Sequence, residues 1–355
     1  MYSTMKRLFF YKPWRTRFGA LLLALVFLGD FPSGSLAAGG RKDRAGMDSP
    51  TETSSPKARE EESGSGEAAP DLYWRLVEEK GTTLVVDGAG YQVPLRDYRR
   101  IVVISPGAVE VLYMLGAESA IAGITSGRDP IWPEDKTVLL PSVGNTARPS
   151  LEAIIALDPD LVIGNGMTAA LMGDLASRGY PVLIHNADSL GDIFNSTLIL
   201  GRFTGKEAEA QVLVAEKEAR LNSLKKELTR KPLHLKGAFL YSANPLMAFT
   251  SGSLPGEIFD ILGVENIAGG LNAAQPILSP EYILAQNPDF LFGAMAITKP
   301  EDILAADSVI GKTRAGMEKN IRIVPSSLFL RTSPRILESL WELYGEIKTY
   351  VKPEA

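Results

Sequence analysis

Two glutamates hold the clearest chemical signal in this sequence. Glu152 and Glu281 occupy the same place in two segments, Ser150 to Gly164 and Ser279 to Gly293, which align without gaps and agree at seven of fifteen positions. In each segment a serine stands two residues before the glutamate. A Pro-Asp pair (Pro159-Asp160, Pro288-Asp289) follows, just before an apolar run. These residues suit local work. Ser150 and Ser279 fit the N-cap and Pro280 the first helical position, while each carboxylate favours the helix dipole and each Pro-Asp turns the chain into a strand.

Metal and nucleophile chemistry find few residues to work with. The chain has no cysteine, so it offers neither a thiolate site, a disulfide nor an acyl-anchor cysteine. His185 ends an expected strand and His234 follows an expected helix, with no partner at metal-ligand spacing. No metal ligand is therefore assigned. Gly311-Lys312-Thr313 has Ala306 where a phosphate loop needs its first glycine, and no hydrolase, zinc-protease or dinucleotide motif lies in a folded segment. No catalytic residue and no cofactor are expected, and the reading is not an enzyme.

The elements that position these residues alternate. Thr82 to Val86, the turn Asp87-Gly88-Ala89-Gly90 and Tyr91 to Leu95 read as a hairpin. Strands are expected at 100–104, 120–124, 161–163 and 181–184, with helices at 109–115, 151–157 and 169–178 between them. After a Gly- and Pro-free helical run from Lys206 to Leu228, about 35 Å long at 1.5 Å per residue, the alternation restarts. Strands follow at 237–241, 290–292 and 321–324, and helices at 256–262, 280–287 and 334–350. This pattern predicts an α/β fold of two similar lobes with mainly parallel sheets, joined by one long helix, with a ligand cleft between the lobes. A weaker echo, Glu110 to Glu118 against Glu257 to Glu265, supports the duplication.

The N-terminus has basic residues, an apolar run from Phe18 to Leu28 and small residues near Ala37, the layout of a cleaved signal peptide over 1–37. Loss of its five basic and one acidic residue would move the formal charge from −5 to about −9, which disfavours nucleic acid or anionic lipid as partners. Residues rich in Gly, Ser, Pro, Glu and Lys then predict a flexible leader over 38–80. The boundaries expected beyond it are a first lobe at 81–205, a linker helix at 206–231 and a second lobe at 232–355.

At this point the chain resembles a known family. Asp87-Gly88-Ala89-Gly90, Arg100-Ile101-Val102, Ser105-Pro106 with Glu110, Leu115-Gly116-Ala117, the two Glu to Pro-Asp segments and Arg331-Thr332-Ser333-Pro334-Arg335 are together similar to the periplasmic solute-binding proteins of ABC importers. The resemblance is to the branch with a rigid inter-lobe helix, which serves cobalamin, ferric siderophores and haem, and it runs from about Leu84 to the C-terminus. It implies a periplasmic monomer that passes a small-molecule metal chelate to permease subunits at the inner membrane. It also implies that Glu152 and Glu281 dock on permease arginines, one from each lobe. A ferric siderophore is ranked first as cargo, with haem, cobalamin and a nickel or cobalt chelate as alternatives.

Ligands of open α/β sheets bind beyond the carboxyl ends of the strands. The loops expected there supply Arg128, Trp132, Asn145 and Met167 from the first lobe and Tyr241, Met295, Phe329 and Arg331 from the second. Arginine would pair with anionic groups of a chelate, and the rings would offer flat apolar contact. The other classes weighed are a non-transport α/β enzyme, which needs a catalytic constellation, and an extracellular binding scaffold, which needs no matched lobes.

Overall fold

A computed structural model describes residues 73–271 and 276–351. The expected signal peptide, most of the leader and the last four residues lie outside the described residues. The leader's expected end at 80 is corrected, because Trp74–Glu79 is strand β1 and pairs antiparallel with β2 (Thr82–Asp87). Its charged, exposed side chains resemble a solvated linker, yet the buried Trp74 and the bond from Asn195 Nδ2 to Trp74 O tie it to the fold. The indole is buried and donates to Ile184 O at 2.7 Å. Strand β3 (Gln92–Pro94) completes this three-stranded sheet as the far arm of the expected hairpin.

The first-lobe sheet holds β4 (Ile101–Val103), β5 (Ile121–Ser126), β6 (Ser142–Asn145), β7 (Arg148–Pro149), β8 (Leu161–Gly164) and β9 (Val182–Ile184). Its order is β7-β6-β5-β4-β8-β9, parallel except for β7. Helices α1 (Pro106–Met114), α2 (Leu151–Ala156) and α3 (Ala169–Ser177) lie along the connections. The strands are buried on both faces, which explains their continuous apolar runs. Ile101, Val103 and Leu161 enter one core, and Val102, Ile104 and Val162 enter another on the opposite side.

Two helices then cross between the lobes. Helix α4 (Leu190–Phe203) gives Ile193 and Phe194 to the second-lobe core and Ile199, Leu200 and Phe203 to the first-lobe core. Helix α5 (Glu207–Arg230), the long helix legible in the sequence, gives Ala210 to the first core and Val214, Leu221, Leu224 and Leu228 to the second. At Gly201 an added Cβ would stand 2.5 Å from Ala210 Cβ, so glycine is what lets the two helices meet.

The second-lobe sheet is built from β10 (Lys236–Ala243), β11 (Leu246–Ala248), β12 (Glu265–Asn266), β13 (Phe290–Gly293) and β14 (Ile321–Ile323). Its path is β11-β10-β13-β14 with β12 also on β10, parallel except for the β10–β11 hairpin. Phe239, Phe290 and Phe292 form an aromatic core with Phe259 of α6 (Leu254–Leu262), while Ala238, Leu240 and Leu291 face the other layer. Helix α7 (Pro280–Gln286) covers that layer, and α8 (Ile336–Ile347) packs beside α5, where buried Lys217 meets Glu338 at 2.9 Å.

The repeated segments do matching structural work. Ser150 and Ser279 accept from Ala153 N and Tyr282 N, capping α2 and α7. Asp160 of the first Pro-Asp pair accepts from Arg99 N and Arg100 N, and Asp289 of the second accepts from Lys236 N. Each aspartate thus pins the backbone that enters the neighbouring central strand.

Candidate functional site

Strand order in the first lobe reverses at β4, so the crevice beyond its carboxyl end is where an open sheet would take a ligand. The chain itself fills that crevice. Thr332 of the second lobe lies against Gly107, where an added Cβ would meet Thr332 O at 2.8 Å. The loop Ser105-Pro106-Gly107, at the start of α1, is therefore a seam between the lobes rather than an open strand-end loop.

Polar groups close the seam. Glu110, on α1 and fully buried, accepts from Arg331 Nη1 at 2.8 Å, Arg335 Nη1 at 3.1 Å and Ser333 Oγ at 2.6 Å. Beside it, His185 Nδ1 lies 2.9 Å from Ser105 Oγ and 3.1 Å from Thr332 Oγ1, and its Nε2 lies 3.1 Å from Ser196 Oγ. Every partner is a hydroxyl, able to donate or accept, so a neutral imidazole is satisfied in either tautomer. Full burial holds the imidazole pKa down at about 4. Farther along, Leu190 N at the start of α4 donates to Glu257 Oε2 of α6 at 2.6 Å. Burial raises the Glu257 pKa, partly offset by that bond and by Lys225.

The structure distributes the expected ligand residues unevenly. Trp132, 38% exposed, stands at the end of the loop after β5 with the Arg335 guanidinium 4.8 Å from its ring centroid. Met167, 51% exposed, follows β8, and its N–H donates to Asn165. Arg128 is exposed in the Trp132 loop. Asn145 is exposed at the end of β6, where its side chain accepts from Ala147 N in a local turn. These first-lobe residues all lie at carboxyl ends of parallel strands.

Those of the second lobe are drawn inward. Phe329 is corrected from cleft wall to core, packed edge-on against Phe239. Met295, half-buried, packs on the same core. Arg331 gives its fork to Glu110 and to Asp129 O at 3.1 Å. Tyr241, near the carboxyl end of β10, is 8% exposed with Phe249 against its ring, and its hydroxyl is buried without a hydrogen-bond partner. Burial also raises its pKa, so it remains a neutral donor. A buried hydroxyl left unpaired costs about 1–3 kcal/mol.

Glu152 and Glu281 are both exposed in the first turns of α2 and α7. The helix-start N–H and Ser150 Oγ, 3.0 Å away, hold the Glu152 carboxyl below its usual pKa. Among the described residues, no group of three or more His, Asp or Glu side chains could hold a metal ion, and no helix is long and apolar enough to cross a membrane. Sequence reasoning missed Glu110, His185 and Glu257 as junction residues. The glutamate echo was a signal for two of them, but nothing local says that their partners lie more than sixty residues away.

Two helix-linked α/β lobes with strand-end loops gathered beside their seam define a two-lobed binding protein. Residues 101–328 match the family described as periplasmic binding protein, and the chain belongs to that family. It is 27% identical over 257 residues, 68% of this chain and 67% of the relative, to a protein of Halobacterium salinarum named cobalamin-binding protein. It is 25% identical over 262 residues, 71% and 81% of the two chains, to YvrC of Bacillus subtilis, described as an uncharacterized ABC transporter substrate-binding lipoprotein. The fold is shared with the periplasmic heme-binding protein RhuT from Roseiflexus in apo form, at TM-score 0.64 and 23% identity over 72% of this chain and 99% of that one.

Proposed function

We propose that this protein captures a chelated metal compound and delivers it to the permease of an ABC importer, without catalysis, as a periplasmic monomer. The observation that carries the reading is the pair of large apolar side chains, Trp132 and Met167, left exposed at the carboxyl ends of first-lobe strands. Their place at the strand ends where an open α/β sheet takes a ligand, rather than their exposure alone, suits them to flat, partly apolar contact. The unpaired Tyr241 hydroxyl adds a donor from the other lobe.

A corrinoid is the preferred cargo. The sequence ranked a ferric siderophore first, but the relative with the named ligand is a cobalamin-binding protein, and likeness to the haem-binding structure supports only the fold. The absence of cysteine distinguishes this chain from an acyl-anchored lipoprotein and supports a free periplasmic protein. Delivery through both lobes is supported by the matched exposure of Glu152 and Glu281.

Titration of the purified protein with cyanocobalamin, haemin and ferrichrome, followed by tryptophan quenching and calorimetry, tests the cargo. Saturable one-to-one binding of cyanocobalamin, at least tenfold tighter than the other two and without chemical change, is expected. Conversion of the compound on the protein, or failure of all three to bind, overturns the reading.

A further inference from the structure

The two arginines that grip Glu110 have a second contact each, and both second contacts fall on one loop. Arg331 Nη1 is on Glu110 Oε1 at 2.8 Å, while its Nη2 donates to Asp129 O at 3.1 Å. Arg335 Nη1 reaches the same Oε1 at 3.1 Å, while its guanidinium lies on the Trp132 ring, 4.8 Å from the centroid. Asp129 and Trp132 are two points of the loop between β5 and the chain leading to β6. That loop belongs to the first lobe, as does Glu110, but both arginines come from the second.

The arrangement is more than an ion pair. Glu110 has no contact with solvent and the two guanidiniums have little, with side chains 11% and 20% exposed. Ser333 Oγ occupies Oε2, so both carboxylate oxygens are engaged and the planar forks are fixed in direction. A guanidinium held in this way presents a flat cation to an indole face. One face of Trp132 is thereby covered, and the rest of the ring is held out where it remains 38% exposed.

We propose that Glu110 is a positioning residue for the ligand surface: through Arg331 and Arg335 it fixes the Asp129 to Trp132 loop and the orientation of the Trp132 indole. Its effect on ligand is exerted through Trp132 and requires the second-lobe segment Arg331–Arg335 to stay seated on the first lobe. Separation of the lobes at this seam withdraws both arginines together and releases the loop, so the ligand surface is intact only while the seam is closed. The part of this inference that concerns ligand rests on the function proposed above.

The test uses the full chain with its tryptophan indoles labelled with nitrogen-15, the Trp132 signal being assigned by Trp132→Phe. In Glu110→Gln and in Arg335→Lys, the Trp132 indole N–H resonance is expected to shift or broaden while those of Trp74 and Trp341 stay in place. Arg335→Lys keeps a cation opposite Glu110 and removes only the planar fork, so it decides the matter if Glu110→Gln does not fold. With cyanocobalamin as probe, each variant should bind about tenfold more weakly, and neither should weaken binding further in a Trp132→Ala background. A Trp132 resonance unchanged in a folded variant, or penalties that add to that of Trp132→Ala, would overturn the proposal. If the wild-type chain binds no probe, the proposed function fails, and the indole resonances still decide whether Glu110 positions Trp132.

Discussion

Glu110 and Glu257, matched by the internal echo of the sequence, both place their carboxylates on a segment far away in the chain, Glu110 across the seam between the lobes and Glu257 at the start of the crossing helix α4. Glu110 of α1 accepts from the Arg331–Arg335 segment, and Glu257 of α6 accepts from Leu190 N at the start of α4. The serines that begin these helices repeat as well, Ser105 capping α1 and Ser253 capping α6. The duplicated unit therefore repeats a long-range carboxylate contact. Only the partners differ, two guanidiniums in one case and a backbone N–H in the other.

That difference sets the response of Glu257 to mutation. Glu257→Ala leaves a helix-start N–H without its acceptor and should destabilise the fold by about 1–3 kcal/mol. Glu257→Gln keeps an oxygen for Leu190 N and removes a buried charge, so it should lie within about 1 kcal/mol of wild type at pH 7. Because burial raises the folded-state pKa of Glu257, its ionisation weakens the fold as pH rises through that value. The advantage of Gln over Glu should therefore shrink as pH falls, as urea unfolding at several pH values would measure.

His185 titrates in the opposite sense. Its folded pKa of about 4 lies below the usual 6.5, so the unfolded chain binds a proton first. Its contribution is fully present above pH 6.5 and is lost as pH falls toward 4. The loss amounts to about 3 kcal/mol at 1.36 kcal/mol per unit. A His185→Gln variant should lose about that much less stability than wild type between pH 7 and pH 4. Denaturant midpoints at the two pH values give the comparison, and equal losses would show that His185 is not the proton acceptor.

Tyr241→Phe should separate stability from affinity. Without ligand, removing an unpaired buried hydroxyl should raise the melting temperature, by about 1–3 kcal/mol of stability at most. If the hydroxyl meets an acceptor on the cargo, affinity for cyanocobalamin should fall about tenfold, or ~1.4 kcal/mol. A melt that drops instead would mean that the hydroxyl has a partner in the folded protein.

Docking is testable apart from capture. Glu152→Ala with Glu281→Ala should reduce permease-dependent uptake in reconstituted vesicles at least tenfold and leave ligand affinity within twofold. Both side chains are exposed, so the double variant should melt close to wild type. Uptake at the wild-type rate would remove these glutamates from the docking surface.

The sequence by itself determined the alternation of strands and helices, the duplication, the long helix from Glu207 and the capping roles of Ser150 and Ser279. All of these depend on short-range periodicity or on a side chain bonding its own helix start, which nearby residues suffice to specify. It did not disclose α4, whose Gly, Asn, Ser and Thr residues are poor helix formers and whose burial on nearly every side hides any polar face. Nor did it disclose that Phe329 belongs to the core or that Arg331 faces a glutamate 221 residues away. Those were decided by tertiary structure alone. A guanidinium at a strand-end loop can turn to a ligand or to a buried carboxylate, and only the approach of the second lobe to α1 provides the carboxylate.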